Sequence, residues 1–315
     1  MKLCIFGGNG FVGSAIARKA VARGWAVTSL SRSGRPFETP AGHTPAWVHK
    51  VDWRKGTPFD RASYAALLPE CDALVTTLGQ LFETQYKDDG VAKPLAVLRA
   101  VAENMTGSRG NPLARDRDRT YERLNRDSAI ELFDAFQQSR PSTSTAAPSP
   151  FVFISAEDVF RPFVPERYIL SKRQAEEEIW RRAQEEEAER TRPIFVRPSL
   201  MYHPHLNPPS TLPATLLEAT SSLHALIPPS LRLAPRPPPA SAPPTSHLPP
   251  AYASLASLVS IPPIHVDAVG ESVCAAIARQ ETRGVVDVAR MRALLGFDPL
   301  GPFDDSRVGG AGARV

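Results

Sequence analysis

Short apolar runs alternate with helix-spaced stretches along most of this chain, and the alternation predicts its architecture. Lys2 to Phe6 is an apolar run that opens directly into glycines. Val12, Ile16, Ala20 and Val21 then recur at helical spacing, Gly24 provides a stop, and Ala26 to Leu30 forms a second run. A buried strand, an amphipathic helix and another buried strand make a βαβ unit. The pattern continues with strands expected at Trp47–Val51, Ala73–Leu78, Phe151–Ile154, Pro193–Arg197 and Val285–Val288. Helices are expected near Tyr64–Leu68, over Thr120–Gln138, from Tyr168 to Glu189, over Leu212–Leu226, over Val269–Ile277 and over Arg290–Leu295. Repetition of this unit predicts an α/β fold: a mostly parallel sheet with helices on both faces.

Composition changes the picture in the second half. The chain has 32 prolines, and pairs or triplets stand at Pro208–Pro209, Pro228–Pro229, Pro237–Pro239 and Pro249–Pro250. Much of 204–263 should therefore be loop, as should the Ser/Thr/Pro/Ala stretch Ser139–Pro150. Three parts follow: a nucleotide-binding-type domain over 1–200, a smaller irregular region over 201–298 whose last elements return to the core, and a polar tail over 299–315. Cys4, Cys71 and Cys274 have no metal-site spacing and read as buried thiols. His203 and His205 stand two apart without a nearby acidic or cysteine partner in sequence, so no metal is expected. No stretch is long and apolar enough for a transmembrane helix, and no leader is legible before the first strand. The net charge of +4 selects no partner. Acidic residues interrupt the basic run Arg109, Arg115, Arg117, Arg119, Arg123 and Arg126, so a solvated helix explains it better than nucleic acid. Glu176 to Glu189 reads as a solvated helix face or partner surface.

The chemistry-bearing pattern is the glycine turn. Gly7, Gly10 and Gly13 stand between the first strand and its helix. There a pyrophosphate approaches free amides at the helix start, around Phe11 and Val12, and a glycine lets helix and strand pack closely. These features predict a Rossmann-type dinucleotide site. After the second strand, where an acid would bind the ribose of NAD, stand Ser31, Arg32 and Ser33. Arg32 is suited to the extra phosphate of NADP, which makes NADP(H) the expected cofactor with NAD(H) as the alternative. Asp52, expected just after the third strand, either accepts from the adenine amino group or caps a turn. Thr76, Thr77, Leu78 and Gly79 are expected to line the cofactor path with backbone.

Ser155 ends a strand, and Tyr168 and Lys172 lie one helical turn apart at the start of the next helix. A lysine ammonium there can lower the phenol pKa and suit Tyr168 to proton transfer, while Ser155 orients a carbonyl or hydroxyl. The same residues also fit a packed tyrosine, or a cofactor-binding pair without turnover.

With FGGNGFVG at Phe6–Gly13, SRSG at Ser31–Gly34 and YILSK at Tyr168–Lys172, the sequence resembles an atypical short-chain dehydrogenase/reductase of the extended, epimerase-like branch. VRPSLMYHP, IPPIHVDAVGESVCAAI and GVVDVARMRAL add a resemblance to fungal mitochondrial oxidoreductase-like proteins of ubiquinone biosynthesis, and to the nucleotide-binding accessory subunit of respiratory complex I. The likeness runs over roughly residues 1–298, insertions excepted. It implies a mitochondrial protein peripheral to the matrix face of the inner membrane, in contact with the coenzyme Q biosynthetic complex. It carries cofactor-binding roles to Gly7, Gly10, Gly13, Arg32 and Lys172, and catalytic roles to Ser155, Tyr168 and Lys172. A non-catalytic nucleotide-binding assembly subunit, or a reductase or epimerase of an unrelated small substrate, are the alternatives.

Overall fold

The computed structural model describes residues 1–79, 121–141, 147–159, 161, 164–185, 190–225, 227 and 243–297. Arg109, Arg115, Arg117, Arg119, the polar tail over 299–315, and parts of both Pro-rich insertions lie outside the described residues.

Seven strands form one parallel sheet. They are β1 (Lys2–Phe6), β2 (Ala26–Ser31), β3 (Val51–Lys55), β4 (Ala73–Thr76), β5 (Ser149–Ile154), β6 (Thr191–Val196) and β9 (Gly284–Val286), in the order β3-β2-β1-β4-β5-β6-β9. A separate parallel pair joins β7 (Met201–Tyr202) to β8 (Ile264–His265). The helices are α1 (Phe11–Ala22), α2 (Ser128–Gln138), α3 (Glu166–Glu185), α4 (Thr211–Ala225), α5 (Ala251–Ser260), α6 (Val266–Ala278) and α7 (Val288–Leu294). The order reverses between β1 and β4, which opens a crevice at the carboxyl ends of those strands, where this class of sheet takes its ligands.

Period-two side-chain alternation sorts the core into two layers. Leu3, Ile5, Val75, Val152, Ile194 and Val196 face one side with α1 and α6. Cys4, Phe6, Leu74, Phe151, Phe153 and Phe195 face the other, where Phe133 and Phe136 of α2 and Ile179 of α3 cover them. The aromatic layer packs edge-on: the Phe133 and Phe151 rings lie 5.2 Å apart at 83°. On the aliphatic side α6 crosses α1 so closely that a Cβ on Gly270 would sit 2.8 Å from the Ala15 backbone.

Three local expectations are corrected. Ala46–Lys50 is a 3-10 turn rather than a strand, and pairing with β2 begins only at Val51. Trp47 is held there by stacking on Phe37, at 5.6 Å. The expected helix near Tyr64–Leu68 is replaced by short 3-10 turns at Arg61–Ser63 and Leu68–Glu70. Conversely, α5 forms within the stretch expected to be loop, starting just after Pro250, which stands at its N-cap. Its inner residues Ala253 and Ser254 are buried.

Candidate active site at the carboxyl edge of the sheet

The glycine turn is built so that backbone, and little else, occupies the space between β1 and α1. Gly7 has φ +88°, the left-handed region, and a Cβ on it would lie 2.6 Å from Thr77 Oγ1. Its amide donates to the Leu30 carbonyl oxygen at 2.8 Å, and its carbonyl accepts from the Gly10 amide at 2.9 Å. Gly13 permits no side chain, because a Cβ would sit 2.2 Å from the Gly7 carbonyl oxygen and 2.7 Å from Gly8 Cα. Gly10 is the exposed N-cap of α1 and supplies no side-chain cap. The first-turn amides of α1, from Phe11 onward, therefore lack intrahelical partners and face the crevice with the positive end of the helix dipole. Phe11 and Val12 stand half-buried at that edge. Gly8 falls outside the Gly7–Gly10–Gly13 spacing and packs on Ser29: a Cβ there would meet Ser29 Oγ at 2.4 Å. Two adjacent glycines in the sequence were the available signal.

On the β4 side, only part of the expected lining reaches the crevice. Thr76 is fully buried and paired in the sheet with both Phe6 and Phe153, so it is structural. Thr77 clamps the turn, with Oγ1 donating to the Phe6 carbonyl oxygen at 3.0 Å and placed 3.2 Å from that of Gly7. Leu78 is half-buried and Gly79 exposed. Gly79 also approaches the start of α2 and α3: a Cβ on it would lie 2.9 Å from Asn125 Oδ1 and 3.0 Å from Lys172 Nζ. Asn125 is buried within a π-helical turn, Glu122–Asp127, that runs into α2. No spacing rule singles it out, because the widened turn is what aims it at Ser171 and Gly79.

At the end of β2, Arg32 and Ser33 are exposed and Ser31 half-buried. The Ser31 and Ser33 hydroxyls accept from the Gly34 and Arg35 amides at 3.1 and 3.3 Å, which folds the chain into a tight turn. Register places Lys55 beside Ser31, so Arg32, Arg35 and Lys55 share one corner. Asp52 is a correction. It is the second residue of β3 and not the residue after it, three positions short of the carboxyl end at Lys55, or roughly 10 Å away. Its carboxylate pairs with Arg54 Nε at 2.7 Å.

Ser155, Tyr168 and Lys172 do converge on the junction of β5 and α3, but not as one hydrogen-bonded set. Tyr168 and Lys172 share a face of α3, and Lys172 Nζ lies 5.6 Å from the Tyr168 ring centre. Lys172 is buried and donates to the Ile154 carbonyl oxygen at 2.7 Å. Burial pulls its pKa down to about 7, with Glu176 opposing and Arg173 adding to the fall. Burial pushes the Tyr168 phenol up, against the pull of Arg173. The expected acidification of Tyr168 by Lys172 is thus absent from this state: the lysine points to a carbonyl, and desolvation dominates the phenol. Ser155 turns to a different face of α3. Its Oγ accepts from Arg173 Nη1 at 3.4 Å and donates to Glu176.

Glu176 was expected on a solvated face, yet it is fully buried. Arg173 Nη1 meets it at 2.8 Å, and Arg197, just past β6, meets it with both Nε and Nη2. Burial works to raise this carboxyl, but the two guanidiniums outweigh it and hold it below the ordinary range. A second buried pair ties the segment after β5 to the C-terminal region. Arg161 grips Asp158 through two hydrogen bonds of 2.7 and 2.8 Å, donates to the Pro249 carbonyl oxygen, and its amide bonds Ser254 of α5.

His203, which sequence spacing left without an acidic neighbour, meets His265 and Asp267 in space, with candidate ligand atoms within 4.8 Å of one another. Both imidazoles use Nδ1 to accept backbone N–H groups, which places the proton on Nε2, a donor rather than a ligand. Arg18 occupies the Asp267 carboxylate.

Lys172 carries a direct prediction. Its folded pKa lies below its unfolded value of 10.5, so the penalty of burying the ammonium is full below pH 7 and fades as pH rises toward 10.5. Lys172→Met should stabilise the ligand-free chain by roughly 2 kcal/mol at pH 6.5, less than the full desolvation penalty because the bond to Ile154 is also lost. Urea titrations at pH 6.5 and 9.5 should show that gain shrinking at the higher pH.

Residues 3–84 match the NAD dependent epimerase/dehydratase family. The fold is similar to that of MoeE5 in complex with UDP-glucose and NAD, with TM-score 0.51 at 15% identity over 98% of this chain and 87% of that one. It is equally similar to a 3-oxoacyl-[acyl-carrier protein] reductase from Brucella melitensis in complex with NAD, with TM-score 0.51 at 15% identity over 92% of this chain and 96% of that one. At this identity the two structures establish the fold: a Rossmann sheet of the short-chain dehydrogenase and epimerase type. In sequence, the chain is 35% identical over 212 residues to MIOREX complex component 2 of Saccharomyces cerevisiae, covering 65% of this chain and 74% of that protein. No described helix is long and apolar enough to cross a membrane. On that identity and coverage, the chain belongs to the family of MIOREX complex component 2.

Proposed function

We propose that this chain binds NADP(H) across the Gly7–Gly13 turn and serves ubiquinone biosynthesis, with redox chemistry on a quinone-ring intermediate as its reaction. The observation that carries the binding is the side-chain-free cradle: at Gly7 and Gly13 any Cβ collides with neighbouring atoms, while the first-turn amides of α1 stand open. Gly7, Gly10, Phe11, Val12 and Gly13 would hold the pyrophosphate, and Leu78 and Gly79 the far wall. Arg32, supported by Arg35 and Lys55, favours the additional phosphate of NADP. When bound, the nicotinamide supplies or accepts a hydride. Tyr168 keeps its proton at the phenol oxygen across the neutral range and so is set to donate it. Lys172, pulled down to about 7, is near half-charged there and can hydrogen-bond a ribose hydroxyl in exchange for the Ile154 carbonyl.

Placement in the mitochondrion, peripheral to the matrix face of the inner membrane and in contact with the coenzyme Q biosynthetic complex, follows from the family resemblance and belongs to this proposal. Membership of the family of a MIOREX complex component supports work within an assembly.

A second reading is favoured by one observation. Ser155 is engaged by Arg173 and Glu176 instead of facing Tyr168, which suits a nucleotide-binding assembly subunit without turnover. Binding and pathway output separate the two. Purified chain should bind NADPH more tightly than NADH, and Arg32→Ala should cost about tenfold in NADPH affinity, one lost charge-assisted contact, with NADH unchanged. Equal loss for both nucleotides would remove Arg32 from the phosphate site. Tyr168→Phe should retain NADPH binding and abolish ubiquinone production by a strain that depends on this protein. Undiminished production would leave the assembly reading.

A further inference from the structure

Asn9 sits inside the glycine turn, half-buried between Gly8 and Gly10. Its side-chain Nδ2 donates to the Arg35 carbonyl oxygen at 3.3 Å, across the gap between the end of β1 and the chain leaving β2. Among the described residues, the other hydrogen bonds on Ser31–Arg35 run within that turn or to the end of β3. The Ser31 carbonyl oxygen accepts from the Gly56 amide at 2.9 Å and from the Gly34 amide at 3.2 Å. Gly34 has φ +65°, and a Cβ on it would lie 2.9 Å from the Lys55 backbone nitrogen, so the turn is pressed against β3. Beyond it, Phe37 is buried and stacks on Trp47. Arg32, Arg35 and Lys55 are exposed in this corner, and among the described residues none of the three has an acidic partner. Unpaired cations repel one another, which works to spread the corner. The Asn9 bond opposes that on the side of the glycine turn.

We propose that Asn9 is a positioning residue for cofactor choice, holding the Arg32–Arg35 turn against the glycine turn so that its guanidiniums meet the ribose phosphate of NADP. The inference rests on the binding mode proposed above and deepens it. In that mode the pyrophosphate, common to both nucleotides, lies on the first-turn amides of α1. The phosphate that only NADP carries lies at the Arg32 corner. A tether between the two places matters to a ligand that must touch both at once. NADP is such a ligand, and NAD, which lacks the second phosphate, is not. The tether acts by fixing the turn before binding, so less chain is ordered when the nucleotide arrives. Asn9 suits this role because its amide donates to a backbone carbonyl, which leaves the Arg32 and Arg35 side chains free for the anion.

The test titrates NADPH and NADH into the full purified chain by calorimetry, as wild type and as Asn9→Ala. The variant should bind NADPH about fivefold more weakly, the scale of one hydrogen bond, with NADH held within about twofold. Damage to the glycine turn itself would weaken both nucleotides alike. In a chain already carrying Arg32→Ala and Arg35→Ala, adding Asn9→Ala should cost NADPH nothing further, because the side chains it positions are gone. Without nucleotide, hydrogen exchange at the Gly34 and Arg35 amides should be faster in Asn9→Ala and unchanged in β1. Asn9→Ser, whose shorter hydroxyl cannot reach Arg35, should repeat the NADPH-selective loss and decides the question if the alanine variant misfolds. Equal losses for the two nucleotides, or full NADPH affinity in both Asn9 variants, would overturn the proposal while leaving the binding mode in place. A wild-type chain that takes up neither nucleotide would instead sink that binding mode, and this inference with it.

Discussion

Among the described glycines, Gly13→Ala is expected to be the most damaging change, costing about 3 kcal/mol of stability and, on the proposed binding mode, eliminating dinucleotide binding. The added carbon falls 2.2 Å from the Gly7 carbonyl oxygen and 2.7 Å from Gly8 Cα. Both are backbone atoms, so no rotamer change relieves the clash and either the turn or the start of α1 must move. Gly10→Ala separates stability from binding. Its Cβ meets only the Gly7 carbonyl oxygen, at 3.2 Å, and its φ of −83° suits any residue. That variant should unfold within about 1 kcal/mol of wild type, the ordinary scale for a tolerated substitution. On the proposed binding mode its dinucleotide affinity should nonetheless fall, because the methyl would occupy space the pyrophosphate needs. Urea unfolding and nucleotide titration of both variants check this. A Gly13→Ala chain of wild-type stability would mean that helix and turn are not in the contact described.

Glu176→Gln should cost about 3–5 kcal/mol at pH 7, the scale seen when one partner of a buried ion pair is removed. The amide keeps the size of the side chain, so a cavity does not enter. What changes is that Arg173 and Arg197 lose the carboxylate that neutralises them in a buried position. The pH dependence has a fixed sign. Glu176 has a folded pKa below its ordinary 4.5, so its contribution is present above that value and is lost as pH falls through the folded one. Wild type should therefore lose stability on acidification below about pH 4.5, as this carboxyl requires, and Glu176→Gln should show a shallower decline. Because Ser155 donates to the same carboxylate, exchanging one acceptor oxygen for an NH2 donor weakens or redirects that bond, so a shift in nucleotide affinity alongside the stability loss is expected.

The places where sequence reading went astray have one character. Trp47 and Val48 look like strand residues, yet they lie in a 3-10 turn, where Trp47 stacks on Phe37 and Val48 is buried. β3 therefore begins later, and Asp52 moves with it from the ligand edge into the strand. Ser155 was correctly found at the end of β5, but which way its side chain points depends on Arg173 and Glu176, one residue around α3 from the Lys172 face. Glu176 reads as one more charge in a charged helix until Arg197, from the next strand, is packed against it. Asn125 has no signature because a π-helical turn, invisible in a periodicity tuned to 3.6 residues, brings it to Gly79 and Ser171.

Local interactions made the rest legible. Strand and helix order, the parallel sheet and the glycine turn depend on spacing within a few residues, on side-chain periodicity and on the space a Cβ requires, all of which the amino-acid order carries directly. The union of Glu176 with Arg197, and of His203 with His265 and Asp267, joins residues that only chain packing brings together. Their directions and pKa values are set by burial and by charges from distant segments, and those exist only once the sheet has closed.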